Sequence, residues 1–128
     1  MGNNEKRTLD QVYSSLNEKQ RQTTMNLQNL IKNVIPEATE ILRHGNITYI
    51  LNDRDLVWLT QASGHVDVEF ANGASLASML LTSHGTKEKN SCIRHVEVTS
   101  FEKYQREIER LLKDAKRLAL ESYPQTPA

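Results

Sequence analysis

The chain has 128 residues, of which 38% are hydrophobic and 25% are charged. This length suits one domain of ordinary size, and the mixture of apolar and charged residues excludes fibrous and disordered classes of protein. Sixteen Lys and Arg residues balance sixteen Asp and Glu residues, so the net charge is zero. A neutral chain lacks the electrostatic attraction on which binding to a phosphate backbone depends, and we therefore expect no nucleic acid partner.

The single cysteine, Cys92, cannot form an intramolecular disulfide or a thiolate metal cluster. We expect it to be a half-buried thiol on a strand. The start of the sequence is polar, without the apolar region of a secretion signal, and no apolar run reaches the length of a membrane span. These features predict a cytoplasmic protein with no membrane partner.

Two helices are predicted at the start of the chain. Thr8 and Gln11 have the spacing of a capping box, and apolar residues then recur at helical spacing. A second helix is predicted over residues 17 to 35, because Asn17 is a good N-cap residue and one apolar stripe continues until Pro36. The positions of this stripe are Leu27, Leu30, Ile31, Val34 and Ile35.

A third, short helix is predicted between Pro36 and Gly45. Proline suits the first turn of a helix, and glycine suits the position just after the last turn. His44 would then cap the end of this helix, and Glu40 would face either a ligand cavity or solvent.

The period of the apolar residues changes to two after Gly45, which is the period of a β-strand. Residues 47–51 and 56–60, separated by a polar turn, predict a hairpin. Residues 65–70 alternate strictly between apolar and ionisable side chains and predict a third antiparallel strand. Helical turns around residues 76–80, a charged loop over 86–91 and a strand over 92–98 are predicted to follow.

A long helix is predicted for the end of the chain, where Thr99 and Glu102 have capping-box spacing and an apolar stripe continues to about Ser122. The fold class is therefore α+β: a two-layer arrangement in which an antiparallel sheet of about four to five strands is packed by N- and C-terminal helices. We expect a disordered tail over residues 1–7, one domain over 8–122 and a second tail over 123–128.

The apolar stripes of these elements predict one hydrophobic core. Its expected members are Leu30, Ile31, Val34, Val66, Val68, Phe70, Val96, Leu111, Leu112 and Leu118.

Several segments resemble the YdhG-like family of small bacterial proteins, whose domain has no known function. The segments that carry the resemblance are residues 35–41, His44-Gly45, residues 64–66, residues 93–96 and the final amphipathic helix. The resemblance covers residues 9 to 121 and departs from the family pattern at residues 46–48, where members commonly have a proline. It implies a two-layer α/β fold with an antiparallel sheet. Some members carry a frataxin-like, iron-chaperone label, which would imply iron binding.

Ionisable side chains on two predicted strands form a candidate metal site. His65, Asp67 and Glu69 alternate along one strand and therefore point to the same face, and His95 and Glu97 do the same on the last strand. Imidazole and carboxylate groups are ligands for zinc and ferrous iron, so either metal is a candidate cofactor. The same alternation is typical of the solvated side of any antiparallel sheet or of a dimer interface, and these interpretations stay open.

Three further residues are candidates for binding a small ligand. Trp58 could lie over a pocket between sheet and helices, or it could belong to the core. The other two are Glu40 and Arg94, which lies in the arginine-histidine strand of the family resemblance. No catalytic motif is found, so the sequence leaves open whether the protein is an enzyme. The sequence favours a module that binds a small molecule or a metal; the alternative is a protein-protein interaction module, monomeric or homodimeric, with no catalytic activity.

Overall fold

A computed structural model describes residues 8–14, 16–83 and 91–122 of the chain. Two helices, α1 (Leu9–Ser14) and α2 (Glu18–Val34), precede a sheet of five strands, and a third helix, α3 (Phe101–Ser122), follows it. The strands are β1 (Thr39–Arg43), β2 (Asn46–Leu51), β3 (Arg54–Ala62), β4 (His65–Phe70) and β5 (Arg94–Val98). The predicted tails over residues 1–7 and 123–128, and most of the predicted loop over 86–91, lie outside the described residues.

The sheet is antiparallel throughout, and its strand order β1-β2-β3-β4-β5 follows the order along the chain. The first four strands are joined by short turns, whereas a long connection that contains a short 3-10 helix, Gly73–Ser75, leads to β5. This architecture confirms the predicted α+β, two-layer fold. Among the residues that the structure describes, none of the helices combines the length and apolar character needed to cross a membrane.

The third predicted helix is wrong, because residues 39–43 form strand β1. This segment pairs with β2, and Ile41 lies opposite Thr48. His44 and Gly45 have positive φ angles of 54° and 81°, as expected for a two-residue hairpin turn. His44 is therefore a turn residue and does not cap a helix. Pairing with a neighbouring strand has overridden the local helix signals of Pro36 and Gly45.

The connection to β5 also differs from the prediction. The helical turn covers Gly73–Ser75 instead of residues 76–80, and β5 begins only at Arg94, so Cys92 is exposed and lies outside the strand. A Cβ atom on Gly73 would approach the Arg94 backbone nitrogen to 2.6 Å. The absence of a side chain on Gly73 is thus what lets the chain pass so close to β5.

The capping signals of the first two helices are confirmed. The Gln11 backbone N–H donates to Thr8 Oγ1 at 3.2 Å, and the Thr8 N–H donates to Gln11 Oε1 at 2.9 Å, which completes the capping box. Asn17 Oδ1 accepts the backbone N–H of Gln20 at 2.8 Å. At the start of α3 the cap is Ser100, whose hydroxyl accepts the Lys103 N–H, and not Thr99 as predicted.

The hydrophobic core lies between the helices and one face of the sheet. The predicted core residues are buried, except that Val34 and Leu118 are only half-buried. Buried Val66, Val68 and Phe70 of β4 point toward the helices, so the alternate residues point away from them. We call this second side of the sheet the open face; it carries Thr48, Trp58, Asp67 and Glu97.

Candidate functional site

The candidate metal-binding residues lie where β4 and β5 pair on the open face. Asp67 lies opposite Glu97, and Glu69 lies opposite His95. The two histidines are four ladder positions apart along the strands, which corresponds to about 13 Å of strand at 3.3 Å per residue. The register therefore separates His65 from His95 and brings Asp67 next to Glu97.

The structure brings together three of the five predicted residues. His65, Asp67 and Glu97 each offer one ligand atom, and these atoms all lie within 4.8 Å of one another. His65 Nε2 lies 2.9 Å from Asp67 Oδ1. An imidazole nitrogen and two carboxylates thus converge at one point of the open face. We call this group the HDE cluster.

Asp67 lies in an environment that disfavours its charged form. Its side chain is only 18% exposed, and its buried Oδ1 atom lies 2.9 Å from His65 Nε2. Burial raises the pKa of Asp67 above its usual value, and repulsion from Glu97 adds to this shift. Attraction by His95 and His65 and a hydrogen bond from His65 oppose the shift without cancelling it. A cation in the cluster would relieve this cost.

The other two predicted ligands have contacts of their own. Glu69 Oε2 accepts a hydrogen bond from the Thr60 hydroxyl at 2.5 Å. His95 is buried, and its Nε2 lies 3.2 Å from Glu97 Oε2. The backbone of His95 also forms a two-way bridge with Thr82, beside β5. His95 thus lies next to Glu97 of the HDE cluster but is not a member of the cluster.

Helix α2 fixes the strand end that carries His65. The Gln20 side-chain amide donates hydrogen bonds to the carbonyl oxygens of Ala62, at 2.6 Å, and His65, at 3.2 Å. These carbonyls flank the β3-β4 turn. A long-range contact of this kind holds the first ligand of the HDE cluster at a defined position relative to the core.

Glu40, predicted on a helix, lies on β1 and faces α2. Its Oε2 accepts hydrogen bonds from the Tyr49 hydroxyl at 2.6 Å and from the Gln28 amide at 3.0 Å, and Lys32 Nζ lies 3.3 Å from Oε1. Burial by itself would raise the pKa of Glu40, but these contacts outweigh it and the pKa is lowered. The carboxylate joins the helix layer to the sheet.

The three predicted small-ligand residues do not come together. Trp58 is half-buried on the open face, not between sheet and helices, because its neighbours Val57 and Leu59 fill the core side of β3. Arg94 lies on β5 and donates from Nη1 to the carbonyl oxygens of Ser91 and Ile93. Trp58 therefore lies on the open face, whereas Arg94 contacts the segment that precedes β5.

Sequence reasoning missed the residues that surround Trp58. A groove beside its ring is also lined by Arg43, His44, Asn46, Thr48 and Asp55. These residues come from three strands and a turn, and only the cross-strand register places them together. The change to a period of two after Gly45 indicates the strands on one side of the groove, but the local helix signals between Pro36 and Gly45 hide β1, which supplies Arg43.

One family model matches residues 9–119 of the chain; its description is a domain of unknown function, DUF5655. No curated protein and no solved structure matches the chain significantly. The match does not confirm the YdhG-like resemblance, which stays a prediction.

Proposed function

For a chain that belongs to the DUF5655 family, a domain of unknown function, we propose that the domain is a metal-binding module that holds a divalent transition metal, zinc or ferrous iron, through His65, Asp67 and Glu97. The observation that carries the proposal is the convergence of one imidazole nitrogen and two carboxylate oxygens, whose ligand atoms all lie within 4.8 Å of one another. One of these carboxylates, Asp67, is largely buried, and burial of a carboxylate is costly unless a cation compensates its charge.

The chemistry of the three groups fits such a metal. Zinc is bound by histidine nitrogen and carboxylate oxygen at about 2.0 to 2.2 Å, which places the ligand atoms of a tetrahedral site about 3.4 Å apart. In the HDE cluster these atoms lie within 4.8 Å of one another. Small rotations of the half-buried side chains would close the remaining distance.

The three protein groups would supply three positions of a tetrahedral metal site and leave the fourth to another ligand. His95, buried and 3.2 Å from Glu97, would orient the Glu97 carboxylate, as neighbours of metal ligands commonly do. A small molecule or water could therefore complete the coordination.

The test is calorimetric titration of the parent protein with zinc and, without oxygen, with ferrous iron. We expect binding in the parent and a loss of at least about tenfold in affinity for His65→Ala, Asp67→Asn and Glu97→Gln. Glu69→Gln is the matched control, since Glu69 lies on the same strand outside the cluster, and it should bind like the parent. Bound metal should also raise the melting temperature, because it binds only the folded state.

Two outcomes would contradict the proposal. Absence of binding in the parent would leave His65 and Asp67 as a simple ion pair. An equal loss in Glu69→Gln and Asp67→Asn would mean that negative charge in general, and not the HDE cluster, attracts the metal.

The interaction module is the second candidate, and strand β1 favours it. β1 is the edge strand on its side of the described sheet, and an unpaired edge can add a strand from another chain. Light scattering on the titrated samples distinguishes monomer from homodimer, with and without metal.

A further inference from the structure

The groove beside Trp58 is a second place on the open face where polar side chains meet. It has a volume of about 230 Å³ and is lined by Arg43, His44, Asn46, Thr48, Asp55 and Trp58. On β3, Trp58 lies opposite Glu69, whereas Thr60 lies opposite Asp67 of the HDE cluster. The groove and the cluster are thus separate sites on one face.

The β1-β2 hairpin builds one wall of the groove. Arg43 lies opposite Asn46 at the hairpin end, whereas Asp55 lies opposite Ile50, further along β2. Arg43 Nη1 nevertheless donates to both carboxylate oxygens of Asp55, at 2.7 and 2.9 Å. The Arg43 side chain must therefore run along the open face past Thr48, which is only 3% exposed.

Several hydrogen-bonding groups of the groove have no partner in the described part of the chain. The structure gives no hydrogen bond to the indole N–H of Trp58, to the side-chain amide of Asn46 or to the remaining nitrogens of Arg43. Asp55 keeps acceptor capacity, since each carboxylate oxygen can accept more than one hydrogen bond. Donors and acceptors thus line the same groove as the Trp58 side chain.

The charges indicate what kind of ligand fits. Arg43 and Asp55 neutralise each other, so the pair brings no net charge and gives an ionic ligand no net attraction. The groove combines one aromatic surface with forked guanidinium, carboxylate and amide groups, each able to bind two neighbouring polar atoms. A neutral ring with an apolar face and adjacent hydroxyl groups matches both features.

We propose that this groove binds a neutral sugar ring, whose C–H face packs on Trp58 and whose adjacent hydroxyls bond to Asp55, Arg43 and Asn46. The ligand remains hydrated on its outer side, since the helices cover only the other face of the sheet. Most small-molecule sites pair apolar contact with a few polar groups in this way. The proposal does not depend on metal binding at the HDE cluster.

Trp58 provides a direct test because it is the only tryptophan of the chain. Its fluorescence is measured while glucose, galactose, mannose and N-acetylglucosamine are added separately, with glycerol as the control for a general effect of hydroxyl groups. We expect a saturable change with at least one sugar, a dissociation constant on the order of 1 mM for so open a site, and no saturation with glycerol.

Asp55→Asn should weaken sugar binding at least about threefold, since it removes the charge-assisted hydrogen bonds. The matched control is Asp53→Asn, which changes an exposed carboxylate of the neighbouring turn and leaves the groove intact. Asp67→Asn should bind the sugar like the parent, which separates this site from the metal site.

No saturation with any of the sugars would overturn the proposal. An equal loss in Asp53→Asn and Asp55→Asn would also overturn it. Adenine is titrated in parallel, and its saturation together with no response to the sugars would overturn the sugar assignment in favour of a planar base. Chemical shift changes in a heteronuclear NMR titration, confined to the residues that line the groove, would support the proposal independently of fluorescence.

Discussion

Two carboxylates on opposite faces of the same sheet, Glu40 and Asp67, show how contacts decide the role of a buried acid. Both side chains are 18% exposed, so burial alone does not distinguish them. Glu40 accepts hydrogen bonds from Tyr49 and Gln28 and pairs with Lys32. Asp67 has a single close partner among the described contacts of its Oδ1 atom, the His65 imidazole at 2.9 Å, and it is repelled by Glu97.

The difference in contacts gives opposite pKa shifts. Burial raises the pKa of both groups, but the hydrogen bonds and Lys32 reverse this effect at Glu40, whereas the nearby histidines do not reverse it at Asp67. Glu40 is therefore ionised at a net benefit to the fold. The fold disfavours the ionised form of Asp67, and carboxylates with such shifts occur most often at functional sites.

The largest change in the free energy of unfolding is expected for a substitution in the apolar core between the sheet and the helices. Leu111 of α3 is fully buried, and Leu111→Ala should lower the free energy of unfolding by about 2–5 kcal/mol. Leu120→Ala is the matched control on the same helix, because Leu120 is 41% exposed. A loss below about 0.5 kcal/mol for Leu111→Ala in denaturant melts would place Leu111 at the surface and contradict the packing.

The next largest effect is expected for Glu40→Gln. The substitution keeps the shape of the side chain but removes the charge that Tyr49, Gln28 and Lys32 contact, so we expect a loss of about 1–3 kcal/mol. Glu37→Gln is the control, since Glu37 is an exposed carboxylate paired with Lys116 at 2.8 Å, and its substitution should change stability little. Equal losses in the two variants would mean that the Glu40 contacts add nothing beyond surface charge.

The comparison also shows what the sequence could predict. Capping residues and the period of the apolar residues predict the bounds of α2, β4 and α3 to within a few residues. These signals lie within each element and need no knowledge of its neighbours. Glu40 was misplaced because the helix signals at Pro36 and Gly45 are local too, whereas β1 exists only through its pairing with β2. The conformation of residues 39–43 therefore depends on pairing with β2. A local sequence pattern carries no information about that partner strand.

The sequence predicts which face of the sheet carries the candidate site. It does not predict which residues of that face form the HDE cluster. Alternation placed His65, Asp67 and Glu69 on one side of β4, and the structure agrees. The choice among the five predicted ligands depends on the register of β4 against β5, which places Asp67 opposite Glu97. The side-chain contacts of Glu69 with Thr60 and of His95 with Glu97 then decide which groups remain in the cluster.

The stability of the parent protein and that of the Glu40→Gln variant should depend differently on pH. The pKa of Glu40 is lowered from 4.5, so ionised Glu40 stabilises the fold above about pH 4.5, and this contribution is lost as the pH falls through the lowered pKa. The difference in unfolding free energy between parent and Glu40→Gln should therefore shrink in acid. Denaturant melts from pH 7 to pH 3 measure it, and a difference that stays constant would contradict the role assigned to the charge.

The smallest expected effect has the opposite sign and concerns Asp67→Asn. The fold disfavours the ionised form of Asp67, so a neutral side chain of the same shape should raise the stability of the metal-free protein, by about 0.5–1 kcal/mol. The measurement is thermal unfolding at pH 7 with a chelator present, and Glu69→Gln, whose carboxylate is bonded to Thr60, should give no such gain. Added zinc should then raise the melting temperature of the parent by more than that of Asp67→Asn, since the variant has lost a ligand. A variant that melts lower than the parent in chelator would show that ionised Asp67 stabilises the fold through its contact with His65, and the contrast between the two carboxylates would disappear.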